Sequence, residues 1–224
     1  MLDSTTAPTG GHAKRRSRPR DWRFVVPVLA GAAILALVVR ATVVDFFYID
    51  SESMTPGLRP GDGLLVNRLA YDGDAPQAGD VVVFDGTGTL APYRSPDVVL
   101  DLLKGLRLAG GNDYFVKRVV GAPGDHVVCC DADGRLVRNG VPVDEPYVHP
   151  GDAPSTTSFD VIVPGDRIWV MGDHRADSTD SRALLGAPGG GMIPVERVVG
   201  RVDRIVWPLE HSGPVAADAP DPAH

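Results

Sequence analysis

Residues 24–44 form a run of 21 residues with a single charge, Arg40. A helix that is apolar on every side must be wrapped by protein or lipid. At 1.5 Å per residue this one is about 31 Å long, close to the roughly 30 Å hydrocarbon core of a bilayer. Its leading flank is basic, with Lys14, Arg15, Arg16, Arg18, Arg20 and Arg23 against Asp3 and Asp21. On the trailing side Arg40 can snorkel outward, and Asp45, the aromatics Phe46 to Tyr48 and Asp50 follow. The reading is a cytoplasmic basic tail (1–23), a single transmembrane anchor (24–44) in the plasma membrane, and an extracytoplasmic remainder. Val39-Arg40-Ala41 offers the alternative of a cleaved secretory signal, against which stand the length of the apolar run and its continuation past that site.

Charge divides at the same place. The whole chain is −7, yet the first 23 residues carry six basic groups against two acids, leaving 16 against 27, a net −11, for the rest. The large part of the chain repels phosphates and the basic part is too short to fold, which excludes a nucleic-acid binder. The remainder is one domain's worth of chain, enough to bury a core without staples. Its two cysteines, Cys129 and Cys130, are adjacent. That supplies no disulfide framework and no cysteine zinc site, and favours a strand end with one thiol in and one out.

A Gly-Asp pair recurs before an apolar run four times: Gly61-Asp62 before Leu64 to Val66, Gly79-Asp80 before Val81 to Phe84, Gly124-Asp125 before Val127-Val128, and Gly165-Asp166 before Ile168 to Val170. With Pro or Ala ahead of it, each reads as a type II turn that opens a strand. Further strands are expected at 115–120, 136–137, 141–143 and 197–206, giving a mostly β, antiparallel, multi-sheet domain over 45–209. Residues 95–108 carry helical spacing between Gly/Pro clusters and read as a helical insertion; 210–224, rich in Pro, Ala and Asp, read as a disordered tail.

Three segments can carry chemistry. The chain has 19 arginines but only three lysines, Lys14, Lys104 and Lys117. Lys117 interrupts an apolar strand, where burial would depress its pKa from about 10.4; the alternative is an amine that snorkels to an edge, and composition and period do not decide between them. Ser51-Glu52-Ser53-Met54 follows the anchor closely and would otherwise be an ordinary turn. Met171 to Arg182 packs polar groups densely after a strand; a self-bonded loop explains that too, whereas an EF-hand calcium site lacks its oxygen spacing and final Glu.

Taken together these segments resemble the type I signal (leader) peptidases of bacteria. Ser51-Glu52-Ser53-Met54 with Pro56 and Leu58 is similar to that family's nucleophile box. Lys117-Arg118 through Gly121-Ala122-Pro123-Gly124-Asp125 is similar to its lysine box, and Gly172-Asp173-His174-Arg175 through Ser178-Thr179-Asp180-Ser181-Arg182 to its C-terminal box. Ala78-Gly79-Asp80 to Phe84 looks like the intervening strand box. Asp50 and Glu52 stand where the family often has Pro and Gly, and His174 where Asn is frequent.

The resemblance implies a Ser-Lys serine endopeptidase of antiparallel β fold, without metal or cofactor. It makes Ser53 the nucleophile and neutral Lys117 the general base, with Ser178 orienting the amine. The Ser53 amide and Ser51 hydroxyl would form the oxyanion hole. Asp173 is implied to be structural, as is an ion pair between Asp180 and Arg182. The implied substrate is the signal peptide of an exported preprotein, cut after a small-x-small motif and lying extended against shallow pockets of Ile49, Met54, Leu58 and Val116. The implied partners are therefore preproteins and the lipid bilayer, with no nucleic acid. Three rivals remain: a Ser-His-Asp hydrolase using His174 or His126, though no Gly-x-Ser-x-Gly elbow is present; a self-cleaving repressor, which would need a DNA-binding domain; and a catalytically silent anchored β domain.

Overall fold

In a computed structural model of the chain, which describes residues 22–91 and 113–215, three of the four Gly-Asp turns close in the same way. The amides of Asp62, Asp80 and Asp125 donate to the carbonyls of Arg59, Gln77 and Ala122, three residues back. Each Asp carboxylate then accepts from the amide of that same residue, at 2.8, 3.0 and 2.8 Å. The glycine between them has φ of 94°, 96° and 92°, a conformation that an L side chain resists, so the type II reading holds there. The fourth turn differs. Its closing bond runs from Arg167 N to Pro164 O, one residue later, and Gly165 is not at positive φ. Pro164 thus begins that turn instead of occupying its second position.

The strands so opened assemble into two antiparallel sheets. The larger runs β1(Val44–Tyr48)-β2(Gly63–Asn67)-β11(Val198–Trp207)-β3(Val81–Asp85)-β4(Tyr114–Gly121)-β9(Arg167–Met171)-β10(Ile193–Pro194), with β12(Gly213–Pro214) also paired to β11. The smaller runs β7(Val141–Pro142)-β6(Leu136–Arg138)-β5(His126–Cys129)-β8(Phe159–Ile162). Two apolar clusters flank the large sheet, one built on Ile49, Met54, Leu58, Leu64, Val66, Val81 and Val83, the other on Val82, Phe84, Val119, Ile168 and Val170. The alternation of residues 81–84 between them is the period-2 signature of a strand buried on both faces. A third cluster, around Trp169, Val127, Leu136 and Phe159, fills the small sheet.

Several expectations change. The helix α1 (Trp22–Thr42) forms where the anchor was expected, but Val44 belongs to β1 and pairs with Asn67, so the anchor boundary at 44 gives way to a strand. The β-branched Val43-Val44 and the aromatics behind it favour that pairing. Side chains 24–39 of α1, 16 in succession, are all exposed. Among the described residues no helix is long and apolar enough to cross a membrane. The chain divides into one unit ending at Leu37 and another beginning at Val38. Order does not stop at residue 209: a 3-10 turn, Leu209–His211, leads into β12, whose pairing with Arg204 and Ile205 satisfies backbone groups that a tail would leave to water. Cys129 and Cys130 are joined as a vicinal disulfide, not held as separate thiols, although one is buried and the other half-buried as anticipated. The expected helical insertion at 95–108 and the basic tail at 1–21 lie outside the described residues.

Candidate active site

Ser53 sits in the connection between β1 and β2. Two bonds close the base of this loop, Ile49 N to Asp62 O at 2.9 Å and Gly61 N to Ile49 O at 2.8 Å. Met54 and Leu58 plunge from it into the core, each 1% exposed, and are linked by Leu58 N to Met54 O. Ser53 is therefore fixed by its neighbours. Its carbonyl accepts from His174 N at 3.1 Å, which ties it to the polar loop after β9.

Lys117, in the middle of β4 opposite Val82, donates from Nζ to Ser53 Oγ at 2.5 Å. The residue is 4% exposed, so its amine does not snorkel. Burial lowers its pKa from 10.5 to about 8; Asp180, Asp173 and Asp177 pull it back up, while Arg182 pushes it further down. An unperturbed lysine would be neutral in roughly one molecule in 2,500 at pH 7, whereas a pKa near 8 makes that about one in ten. The arrangement presents a hydroxyl against an amine that can lose its proton near neutral pH, the pairing required to activate a serine.

The polar loop braces both residues. Arg118, next to Lys117, grips Asp173 with Nε at 2.9 Å and Nη2 at 2.7 Å, donates to Gly79 O at 2.9 Å, and lies 3.9 Å over the Tyr147 ring. Both members of this pair are buried, and burial pushes the Asp173 carboxyl up against the pull of Arg118. Asp180 accepts from Arg182 at 2.9 and 2.8 Å and from Gly172 N at 3.0 Å. Burial opposes ionisation of Asp180, but Arg182 and the Gly172 amide hold its carboxyl below the ordinary range. At Gly172 a β-carbon would overlap the Ser53 carbonyl and the Ser178 hydroxyl, so the close approach of the two loops requires glycine.

Other expected site residues are placed less simply. Ser51 Oγ accepts from Ser53 N at 3.2 Å, so the two groups assigned to an oxyanion hole face one another here. Ser178 Oγ is buried and helps hold the Asp180 carboxyl down, and no bond joins it to the Lys117 amine. Ile49, Met54 and Val116 line a cleft of about 460 Å³ beside Ser53 and Lys117, together with Phe47, Tyr48 and Asp50. Leu58 does not line it and packs in the core, which corrects its assignment to a pocket: the bond to Met54 turns it inward. His126 meets Asp160 at 2.6 Å on the exposed small sheet, and the ring of His174 meets Thr55, not Ser53, which removes the basis for a histidine triad.

Tyr114, Phe115, Asp177 and Thr179 also line the cleft and were not singled out from the sequence. Tyr114 and Phe115 precede Lys117 on the same strand, so a strand that carries a buried lysine to a serine also delivers its neighbours. Arg118, quoted only as part of a motif, had a readable signal: a second cation in an apolar strand demands a buried acid.

A family model described as "Signal peptidase, peptidase S26" matches residues 22–207. The chain belongs to the signal peptidase family. Membership makes it a peptidase, and hence a hydrolase, of the type I class. It is 34% identical to the probable signal peptidase I of Mycobacterium leprae over 92% of this chain and 83% of that protein. It is 34% identical to the signal peptidase I of Mycobacterium tuberculosis over 92% of this chain and 78% of that one. The probable signal peptidase I-2 of Synechocystis is 32% identical, covering 92% and 83%. Among solved structures, a signal peptidase I from Enterococcus faecalis is similar at 22% identity and a TM-score of 0.38, over 57% of this chain and 96% of that one.

Proposed function

We propose that this signal peptidase removes signal peptides from exported preproteins with Ser53 as nucleophile and Lys117 as general base. The observation that carries the reading is the 2.5 Å bond from a 4%-exposed lysine to the serine hydroxyl. Neutral Lys117 takes the Ser53 proton as Oγ attacks the scissile carbonyl, then returns it to the leaving amine; water repeats the cycle on the acyl-enzyme. As the carbonyl oxygen gains charge, the Ser53 amide is released from Ser51 Oγ to donate to it and the Ser51 hydroxyl donates alongside, two donors aimed at the developing charge. The half-buried Ser178, whose hydroxyl lies by Asp180, can reorient toward the amine once Lys117 shifts.

The substrate lies extended in the cleft, small residues facing Ile49, Met54 and Val116. Residues 24–39, exposed and uncharged, anchor the chain in the cytoplasmic membrane with the basic tail inside. Only eight residues, 45–52, lie between the end of the apolar run and Ser53, so the nucleophile works close to where a signal helix leaves the bilayer. Cleavage of a small-x-small preprotein in detergent by wild type, Ser53→Ala and Lys117→Ala tests this. Both variants are expected to be inactive, and turnover by either Lys117→Ala or Lys117→Arg would refute the lysine base.

A further inference from the structure

We infer that His149, Asp152 and His174 form a binding site for a divalent transition-metal ion of the zinc class, beside the nucleophile loop and separate from the cleft. Each offers one ligand atom, all within 4.8 Å of one another, and among the described residues no other group of this kind occurs. His149 and Asp152 come from a single turn, closed by Asp152 N to His149 O at 3.0 Å. His174 comes from the polar loop, and its ring stacks on that of His149 at 4.2 Å between centroids and 19° between planes.

Two local hydrogen-bonding problems point to a cation. Thr55 has one hydroxyl hydrogen, and it goes to Glu52 O at 2.9 Å. Its oxygen can then only accept from His174 Nδ1, 3.2 Å away, so Nδ1 carries the ring hydrogen. With the hydrogen on Nδ1, Nε2 lies 3.9 Å from Asp152 Oδ2, an acceptor that also receives Ala176 N at 3.1 Å. A cation held between these two atoms satisfies both at once. This is the arrangement of a metal-ligating histidine whose other nitrogen donates to an oriented oxygen. The second problem is His149 Nδ1, which is buried with no partner.

Ligands at 2.0–2.1 Å around a tetrahedral ion lie about 3.3 Å apart. Closing the cluster therefore takes about an ångström of inward movement and a rotation of one stacked ring. Two imidazoles and one carboxylate leave a fourth position for water and suit zinc or cobalt better than calcium or magnesium, which prefer all-oxygen sites. Bound there, the ion joins the 149–152 turn to the polar loop. Because His174 N holds the Ser53 carbonyl, it also stiffens the seat of the nucleophile. The role is a brace, outside the bond-breaking chemistry, and departs from the metal-free expectation only in that respect.

The test uses the full-length chain in detergent, stripped with a chelator and dialysed against zinc chloride. One zinc per chain is expected, with affinity reduced about 100-fold or more in His149→Ala and in Asp152→Asn, each checked for native circular dichroism. In the wild type, zinc should also protect His149 and His174 from acylation by diethylpyrocarbonate while His126 and His211 remain reactive. No uptake by wild type, full uptake by the folded variants, or equal modification of all four histidines with and without zinc would overturn the assignment.

Discussion

Replacing Lys117 with methionine should abolish cleavage and make the protein more stable. A pKa held at about 8 instead of 10.5 means that, below pH 8, keeping the amine protonated in the folded state costs about 3 kcal/mol. Methionine fills a similar volume without a charge; against the gain stands loss of the bond to Ser53 Oγ, about 1 kcal/mol. The net is a stabilisation of about 2 kcal/mol at pH 7. The sign with pH follows from the depressed value. Between the folded pKa near 8 and the unfolded one near 10.5 only the unfolded wild type holds the proton, so wild-type stability rises through that window. The advantage of Lys117→Met must therefore shrink above pH 8 and vanish, or reverse slightly, near 10.5. Urea unfolding in detergent, followed by fluorescence of the fully buried Trp169, measures this at pH 7, 8.5 and 10. A variant no more stable than wild type at pH 7, or one whose advantage grows with pH, would refute the reasoning.

Gly172→Ala forces the Ser53 carbonyl and Ser178 aside; displacement of the nucleophile by an ångström should lower kcat about 100-fold with little change in KM, measured on a preprotein substrate. Arg118→Lys loses the two-pronged grip on buried Asp173 and should destabilise the fold by about 3 kcal/mol, seen as a lower urea midpoint, largest where Asp173 is ionised. Leu58→Ala should cost about 2–5 kcal/mol of stability while leaving KM within about twofold, because Leu58 lies in the core and not in the cleft.

Much of this was legible before any coordinates. The Gly-Asp turns marked strand starts because a positive-φ glycine and a back-bonding aspartate are local devices; the shifted turn at Pro164 escaped because the same letters allow two closures. Strands β8, β10 and β12 are two to four residues long, too short for a period-2 pattern to stand out. Lys117 was conspicuous as one lysine among arginines in an apolar strand. Its partner Ser53 was named only through the family resemblance, since contact between residues 64 apart depends on how the β1–β2 loop packs over β4. For the same reason Leu58 could not be told from Met54: both are apolar residues of one loop, and only the helical turn between them decides which reaches the cleft.

The central claim, that Lys117 is the base for Ser53, is tested most directly by the pH dependence of kcat/KM. The acid limb should report the free-enzyme pKa near 8, and Val116→Ser, which lets water nearer the amine from the cleft wall, should move it to higher pH. A limb at about 6.5 that disappears in His174→Gln, or one that stays in place when Val116 becomes polar, would show that another group takes the proton.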